Sequence, residues 1–206
     1  MALLAVLAAT FGAGYWLGHR QAPPLVPPAV AGFLWPDSPT LQPFELRDET
    51  GQPFTQAALH DRWTLLFFGF THCPDICPGT LATLRQAVRA LQDQPALAKK
   101  LQVVFVSVDA ARDTPEVLAR YVRYFDPSFR GTSAPMEQLH LLTRQLGADY
   151  ARISEGKEGE YWFDHSASIF LVAPDLRIVG AFESPHLAGE LADRVGRIAG
   201  FLEAAR

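Results

Sequence analysis

Only two cysteines occur in the 206 residues, Cys73 and Cys77, separated by Pro74-Asp75-Ile76. Thiols this close can shut a disulfide or jointly hold a soft metal ion. A structural zinc site built from four cysteines is excluded within one chain. A disulfide framework fits poorly, because stapled secreted domains usually use four or more cysteines. This chain is 49% apolar and long enough to bury a core without staples. A single local disulfide would close only a small loop and stabilise the fold little. A working thiol pair is the stronger reading.

The elements around the pair explain how it is presented. Residues 65–70, Leu-Leu-Phe-Phe-Gly-Phe, are a short uninterrupted apolar run, as in a strand buried on both faces. Pro78 fits the first position of a helix, and Leu81, Leu84, Val88 and Leu91 follow at helical spacing on one face. Both thiols therefore fall on a strand-to-helix turn, where the positive helix end favours thiolate over thiol. Each cysteine precedes a proline, which stiffens the turn. Asp75, between the thiols, would repel a thiolate if it pointed inward and is expected to face water.

The chain continues in the same alternating manner. Residues 102–108 read as a second buried strand, followed by Asp109 and then by Thr114-Pro115 as helix cap and first helical residue. Strand-helix-strand-helix order predicts an α/β domain with a parallel sheet covered on both faces and ligands at the carboxyl ends of strands. Cys73 and Asp109 fall at that edge. Upstream, residues 44–46 and 53–55 flank Asp48-Glu49-Thr50-Gly51 and predict a hairpin. Downstream come a helix over 135–146 that stops at Gly147 and a polar ribbon or loop over 151–163. A hairpin over 168–182 turns at Pro174-Asp175, and a last helix is capped by Ser184 with Pro185 at its first position.

Residues 1–18 carry no charged side chain and end at His19-Arg20. As a helix they would span ~27 Å, against a hydrocarbon core of ~30 Å. The segment lacks a basic leading region and a small-x-small cleavage site, so residues 1–20 are expected to be an uncleaved membrane anchor helix. The lone Arg20 would by itself point its end toward the cytoplasm. Residues 21–40 hold Pro23, Pro24, Pro27, Pro28, Pro36 and Pro39 and are expected to be a semi-rigid spacer, with one globular domain over 41–206. The net charge of −4, without a dense basic cluster, argues against a nucleic-acid partner.

Two thiolates leave a soft ion incompletely held, and imidazole is the natural third donor. Of the six histidines, His165 is best placed, following Asp164 and preceding the strand-like residues 168–172. His19, His60, His140 and His186 have ordinary readings at a membrane boundary, in a polar loop and on helices. His72 adjoins Cys73, and successive extended residues point opposite ways, so it faces away. Met136 reads as helix packing. Asp164 either orients the imidazole from behind or is a solvated loop carboxylate.

Gly69-Phe70-Thr71-His72-Cys73-Pro74-Asp75-Ile76-Cys77-Pro78 closely resembles the signature of the SCO/SenC family. Two further blocks match it in order: residues 107–115, Ser-Val-Asp-Ala-Ala-Arg-Asp-Thr-Pro, and Asp164-His165-Ser166. Ala110 departs from the family's usual proline. The resemblance implies a thioredoxin-like fold, a central mixed sheet flanked by helices. It also implies copper, as Cu(I) or Cu(II), held by Cys73, Cys77 and His165, with Asp164 behind the imidazole and Asp109, Arg112 and Asp113 bracing a turn. The implied role is a copper metallochaperone without turnover of its own, serving the copper-A subunit of cytochrome c oxidase alongside other copper or thiol-redox assembly proteins. The implied location is extracytoplasmic, in a bacterial periplasm. The alternative is a thiol-disulfide oxidoreductase using Cys73 and Cys77 as a redox-active disulfide. Thioredoxin-type enzymes use Cys-x-x-Cys, and a reductase needs no imidazole, so the chaperone reading leads.

Overall fold

The computed structural model describes residues 10, 12, 14–15, 26–35, 37–154 and 161–205. The expected anchor over 1–20 lies almost wholly outside the described residues. Among the described residues no helix is long and apolar enough to cross a membrane.

A seven-stranded mixed sheet forms the centre. Its strands are β1 (Glu45–Asp48), β2 (Pro53–Thr55), β3 (Trp63–Gly69), β4 (Leu101–Ser107), β5 (Arg130–Ser133), β8 (Ile169–Val172) and β9 (Ile178–Phe182). They lie in the order β2-β1-β5-β4-β3-β8-β9, and β6 (Tyr150–Ser154) with β7 (Tyr161–His165) forms a separate two-stranded ribbon. The β5-β4-β3 centre is parallel, whereas β8 and β9 join antiparallel on one side and β1 and β2 on the other. Every residue of β3 is buried, as its unbroken apolar run requires.

The helices are α1 (Pro28–Ala31), α2 (Ile76–Ala90), α3 (Pro95–Lys100), α4 (Pro115–Phe125), α5 (Met136–Leu146) and α6 (Ala188–Ala204). α2 buries Cys77, Thr80, Leu81, Leu84 and Ala87 on one face and packs beside α6 and α4. The α4 cap is as expected, with Thr114 Oγ1 accepting from the Val117 N–H. α5 ends at Gly147, whose φ of 65° is the left-handed conformation that glycine adopts without strain.

Three local expectations change. α2 begins at Ile76, so Pro78 is its third residue, which costs no hydrogen bond because the first four helical N–H groups have no helical acceptor. α6 begins at Ala188 rather than Pro185, because His186 Nε2 lies 2.7 Å from the Ala167 carbonyl and Leu187 is extended. The third concerns the proline-rich stretch expected to be a spacer. Its residues 28–35 and 39–40 lie against the domain, where Val30 is buried and the Trp35 N–H donates to Val179 of β9. The Ile178 N–H donates to Pro39, and Thr40 bridges to Arg177, so this stretch covers the otherwise open edge of the sheet.

Val30→Ala removes two buried methyl groups from that cover. It should cost roughly 1.5–2 kcal/mol at about 0.8 kcal/mol per group. Urea unfolding of the two proteins measures the difference, and an unchanged midpoint would mean that the stretch does not pack.

Candidate metal centre

Cys73 lies in the loop after β3, Cys77 is the second residue of α2, and His165 closes β7. The folded chain brings them together across 88 residues, with Cys77 Sγ 3.3 Å from His165 Nε2. The Cys77 N–H donates to Cys73 Sγ at 3.5 Å, and the three donor atoms all lie within 4.8 Å of one another. Both thiols are free. Donors at ~2.0–2.3 Å from one ion stand up to about 4.6 Å apart, so side-chain shifts of about a few tenths of an ångström at most are enough for the three to share an ion. His165 Nδ1 is 3.1 Å from the Ser166 carbonyl. A carbonyl can only accept, so the ring proton sits on Nδ1 and the Nε2 lone pair faces the sulfur.

Packing sets these positions. Gly69, the last residue of β3, lets α2 approach closely: a Cβ there would lie 2.7 Å from Cys77 Sγ and 2.8 Å from Phe105 Cε2. Phe67 and Phe70 meet the His165 ring edge-on at centroid distances of 5.9 and 6.0 Å. Asp113, fully buried, ties the cysteine loop to the β4–α4 turn. It accepts from the Thr71 N–H at 2.9 Å, Thr71 Oγ1 at 2.6 Å and Ser107 Oγ at 2.5 Å.

Burial decides the electrostatics. It drives the Cys77 thiol far above its usual range, against the lowering effect of a hydrogen bond with the Phe70 backbone, and the neighbouring Cys73 sulfur and Asp113 carboxylate also raise it. The expectation that the helix end would favour thiolate is therefore overturned for metal-free Cys77. A helix terminus contributes on the order of 0.3–1 kcal/mol, less than the desolvation of a sealed anion costs. A bound cation would reverse the balance by replacing the proton. Burial also pushes His165 down, partly countered by the Ser166 carbonyl and by the charge of Asp164.

The remaining candidates fall elsewhere. Asp164 is exposed and opposite Ala151 on the ribbon, so its charge reaches the imidazole while the hydrogen-bonding partner is Ser166. Asp75 is exposed, as expected. His72 is exposed, with Nδ1 3.2 Å from Thr71 Oγ1; it lines the cavity beside Cys73 and stands outside the three-donor cluster. His60 sits 3.0 Å from Asp61, and His140 lies on the Tyr150 ring. Met136 is 59% exposed rather than packed. Gly69 and Ser166 were not singled out from the sequence. A glycine ending an apolar strand beside a reactive turn was the available signal for the first, whereas a backbone carbonyl leaves none for the second.

The sequence matches the SCO1/SenC family over residues 36–200. The chain belongs to that family. It is 40% identical over 153 residues to a Stutzerimonas stutzeri protein whose name ascribes copper binding to it, with 74% of each chain covered. It is 37% identical to the mitochondrial SCO2 homologue of Bos taurus, covering 75% of this chain and 58% of that one. Thus the chain spans little more than half of that mitochondrial relative. Among solved structures, the copper-bound ScoI of Arabidopsis thaliana superposes with a TM-score of 0.71 at 32% identity, covering 79% of this chain and 99% of that one. The mixed sheet with flanking helices is thus the thioredoxin-like fold of the SCO1/SenC proteins.

Gly69→Ala should displace the Cys77 thiol and destabilise the SCO1/SenC domain by about 1–3 kcal/mol, as overpacking does. Chemical unfolding, together with the reaction rates of the two thiols with a disulfide reagent, would reveal this. Wild-type rates and stability would show that the close approach is not binding. A second expectation concerns pH. Below ~6.5 the unfolded chain protonates His165 while the folded chain resists, so stability falls as pH drops through that range. Above ~8.5 the unfolded Cys77 ionises while the folded thiol stays protonated, so stability falls again as pH rises. In metal-free, reduced protein, His165→Gln should flatten the acid limb and Cys77→Ser the alkaline limb of unfolding free energy against pH.

Proposed function

We propose that this chain is a membrane-tethered copper metallochaperone that binds copper through Cys73, Cys77 and His165 and supports assembly of the copper-A centre of cytochrome c oxidase. The observation that carries this reading is the convergence of two free thiols and an imidazole Nε2 within 4.8 Å. Two sulfurs and one nitrogen suit Cu(I) in a three-donor shell, and the same donors can also take Cu(II). The names of the Stutzerimonas and Arabidopsis relatives, each joined to copper, support the choice of ion. Copper is the cargo here, so the shell has to be exchangeable as well as tight.

The two thiols differ in a way that suits release. Cys77 is sealed, whereas Cys73 lines an open cavity of about 480 Å³ with Phe70, Pro74, Ile76, Trp162 and His165. An incoming donor from an acceptor protein would meet Cys73 and His165 first and Cys77 last. Asp164 at the rim adds negative charge beside the imidazole and would favour the cation. In this reading residues 1–20 anchor the chain, residues 21–40 join the anchor to the domain over 41–206 with residues 28–35 and 39–40 lying along its sheet edge, and the domain works outside the cytoplasm, in a bacterial periplasm. Its partners are the copper-A subunit and other copper or thiol-redox assembly proteins.

The free, adjacent thiols also favour a second reading, a thiol-disulfide oxidoreductase. Cys73 and Cys77 would join as a disulfide while two electrons and two protons reduce a substrate disulfide to two thiols. The imidazole has no task in that exchange, which is why the metal reading leads.

Titration of the reduced protein with copper should show one ion bound per chain. His165→Ala should weaken binding by more than the 10- to 100-fold (order of magnitude) that losing an outer partner costs. It should also change the Cu(II)-thiolate absorption, whereas Cys73→Ser and Cys77→Ser should abolish it. Unchanged affinity and absorption in His165→Ala would sink the ligand set. Full disulfide reductase activity in that variant, with no effect of copper on the wild type, would favour the second reading.

A further inference from the structure

We propose that Arg112 is a positioning residue that latches the β6–β7 ribbon to the β4–α4 turn and thereby holds His165 over Cys77. The functional half of this inference rests on the metal site proposed above.

An isolated two-stranded ribbon is marginal in water and needs something to pack on. Among the described residues β6 and β7 pair only with each other. Along β7, Tyr161, Phe163 and His165 point to the domain while Trp162 and Asp164 are exposed, so Tyr161 and His165 move as one strand face. The aromatic end of that face rests on Phe67 and Phe70. The other end is held by charge. Arg112 Nη1 donates to the Tyr161 carbonyl at 3.2 Å, and its guanidinium lies 3.8 Å from the centroid of the Tyr161 ring. Arg112 Nε is ion-paired with Asp109, whose other oxygen accepts from Tyr161 Oη at 3.0 Å. Arg152 of β6 lies over the same ring at 3.9 Å. Apart from the Cys77–His165 contact, the other polar contact from ribbon to body among the described residues is the long Tyr150 Oη to Met136 carbonyl bond at 3.4 Å.

What separates a latch from general cohesion is that the same turn also grips the other half of the site. Arg112 and Asp109 hold the histidine strand, while the next residue, Asp113, holds Thr71 in the cysteine loop. The turn itself is tightened by Arg112 and Asp113 N–H groups donating to the Asp109 carbonyl. One short segment thus sets the distance between thiols and imidazole.

The test pairs Arg112→Met with Asp109→Asn in the full chain, so that no buried carboxylate is left unpaired. In reduced, metal-free protein, nuclear Overhauser contacts from the His165 ring to Phe67 and Phe70 should be lost. Amides of residues 161–165 should exchange at least tenfold faster, while those of β3 keep their wild-type rates. In copper-loaded protein, the thiolate absorption should persist while the imidazole nitrogen hyperfine coupling weakens, and Arg112→Lys should restore it in part. Wild-type contacts and exchange in the double variant would overturn the latch. If that variant does not fold, Tyr161→Leu, which removes the stack and leaves the ion pair, is judged by the same readouts. Absence of nitrogen coupling in wild-type protein would count against the metal reading alone, because the metal-free arm still decides the latch.

Discussion

The seating of the Cys77 sulfur against the end of β3 is the contact on which the other features of the site depend. Gly69 leaves no side chain between strand and helix, and Phe105 of the neighbouring strand closes the space beside it. A sulfur held this way is desolvated, which disfavours its anion and leaves a neutral thiol until a cation arrives. The site is therefore kept in a state that a metal ion can convert by displacing protons. Packing density supplies that property, since a looser strand-helix contact would admit water and restore the thiol to its ordinary range.

Around this fixed sulfur the other two donors are held with decreasing rigidity. Cys73 is four residues along a proline-stiffened loop and receives the Cys77 N–H. Asp113, buried and accepting three hydrogen bonds, anchors the start of that loop to the strand-helix turn beside it. The imidazole comes last, on a ribbon that is not paired with the main sheet. The three donors thus stand on elements of decreasing backbone support, from helix to loop to ribbon.

The surroundings of the opening have a matching character. Phe70, Pro74, Ile76 and Trp162 make its walls largely apolar, and Ile76 and Trp162 are well exposed. Apolar walls exclude water from the donors and strengthen their hold on a cation. The Asp109–Arg112 pair and Asp113 are set back from the site, where they fix positions without competing for the ion, and Asp164 stands at its rim.

Much of this was legible from residue order. An apolar run before the thiols, a helix-spaced face after them, and a second strand ending at Asp109 specify a sheet edge carrying Cys73 and Cys77, because burial periodicity and helix caps are local properties. β5, with its Arg-Gly-Thr-Ser sequence, carries no strand signal and exists because Arg130 binds Asp48 and Glu49 while β4 pairs beside it. The true starts of α2 and α6, and the docking of residues 28–35 and 39–40 against β9, were likewise settled by partners distant in sequence. The sequence by itself determined which atoms could bind a soft ion, since donor chemistry belongs to side-chain type. Only the tertiary structure decided that burial outweighs the helix end at Cys77, that Ser166 rather than Asp164 receives the imidazole proton, and that one turn holds both halves of the site. Desolvation, orientation and long-range contact are properties of what surrounds a residue, and those surroundings exist only once the chain has folded.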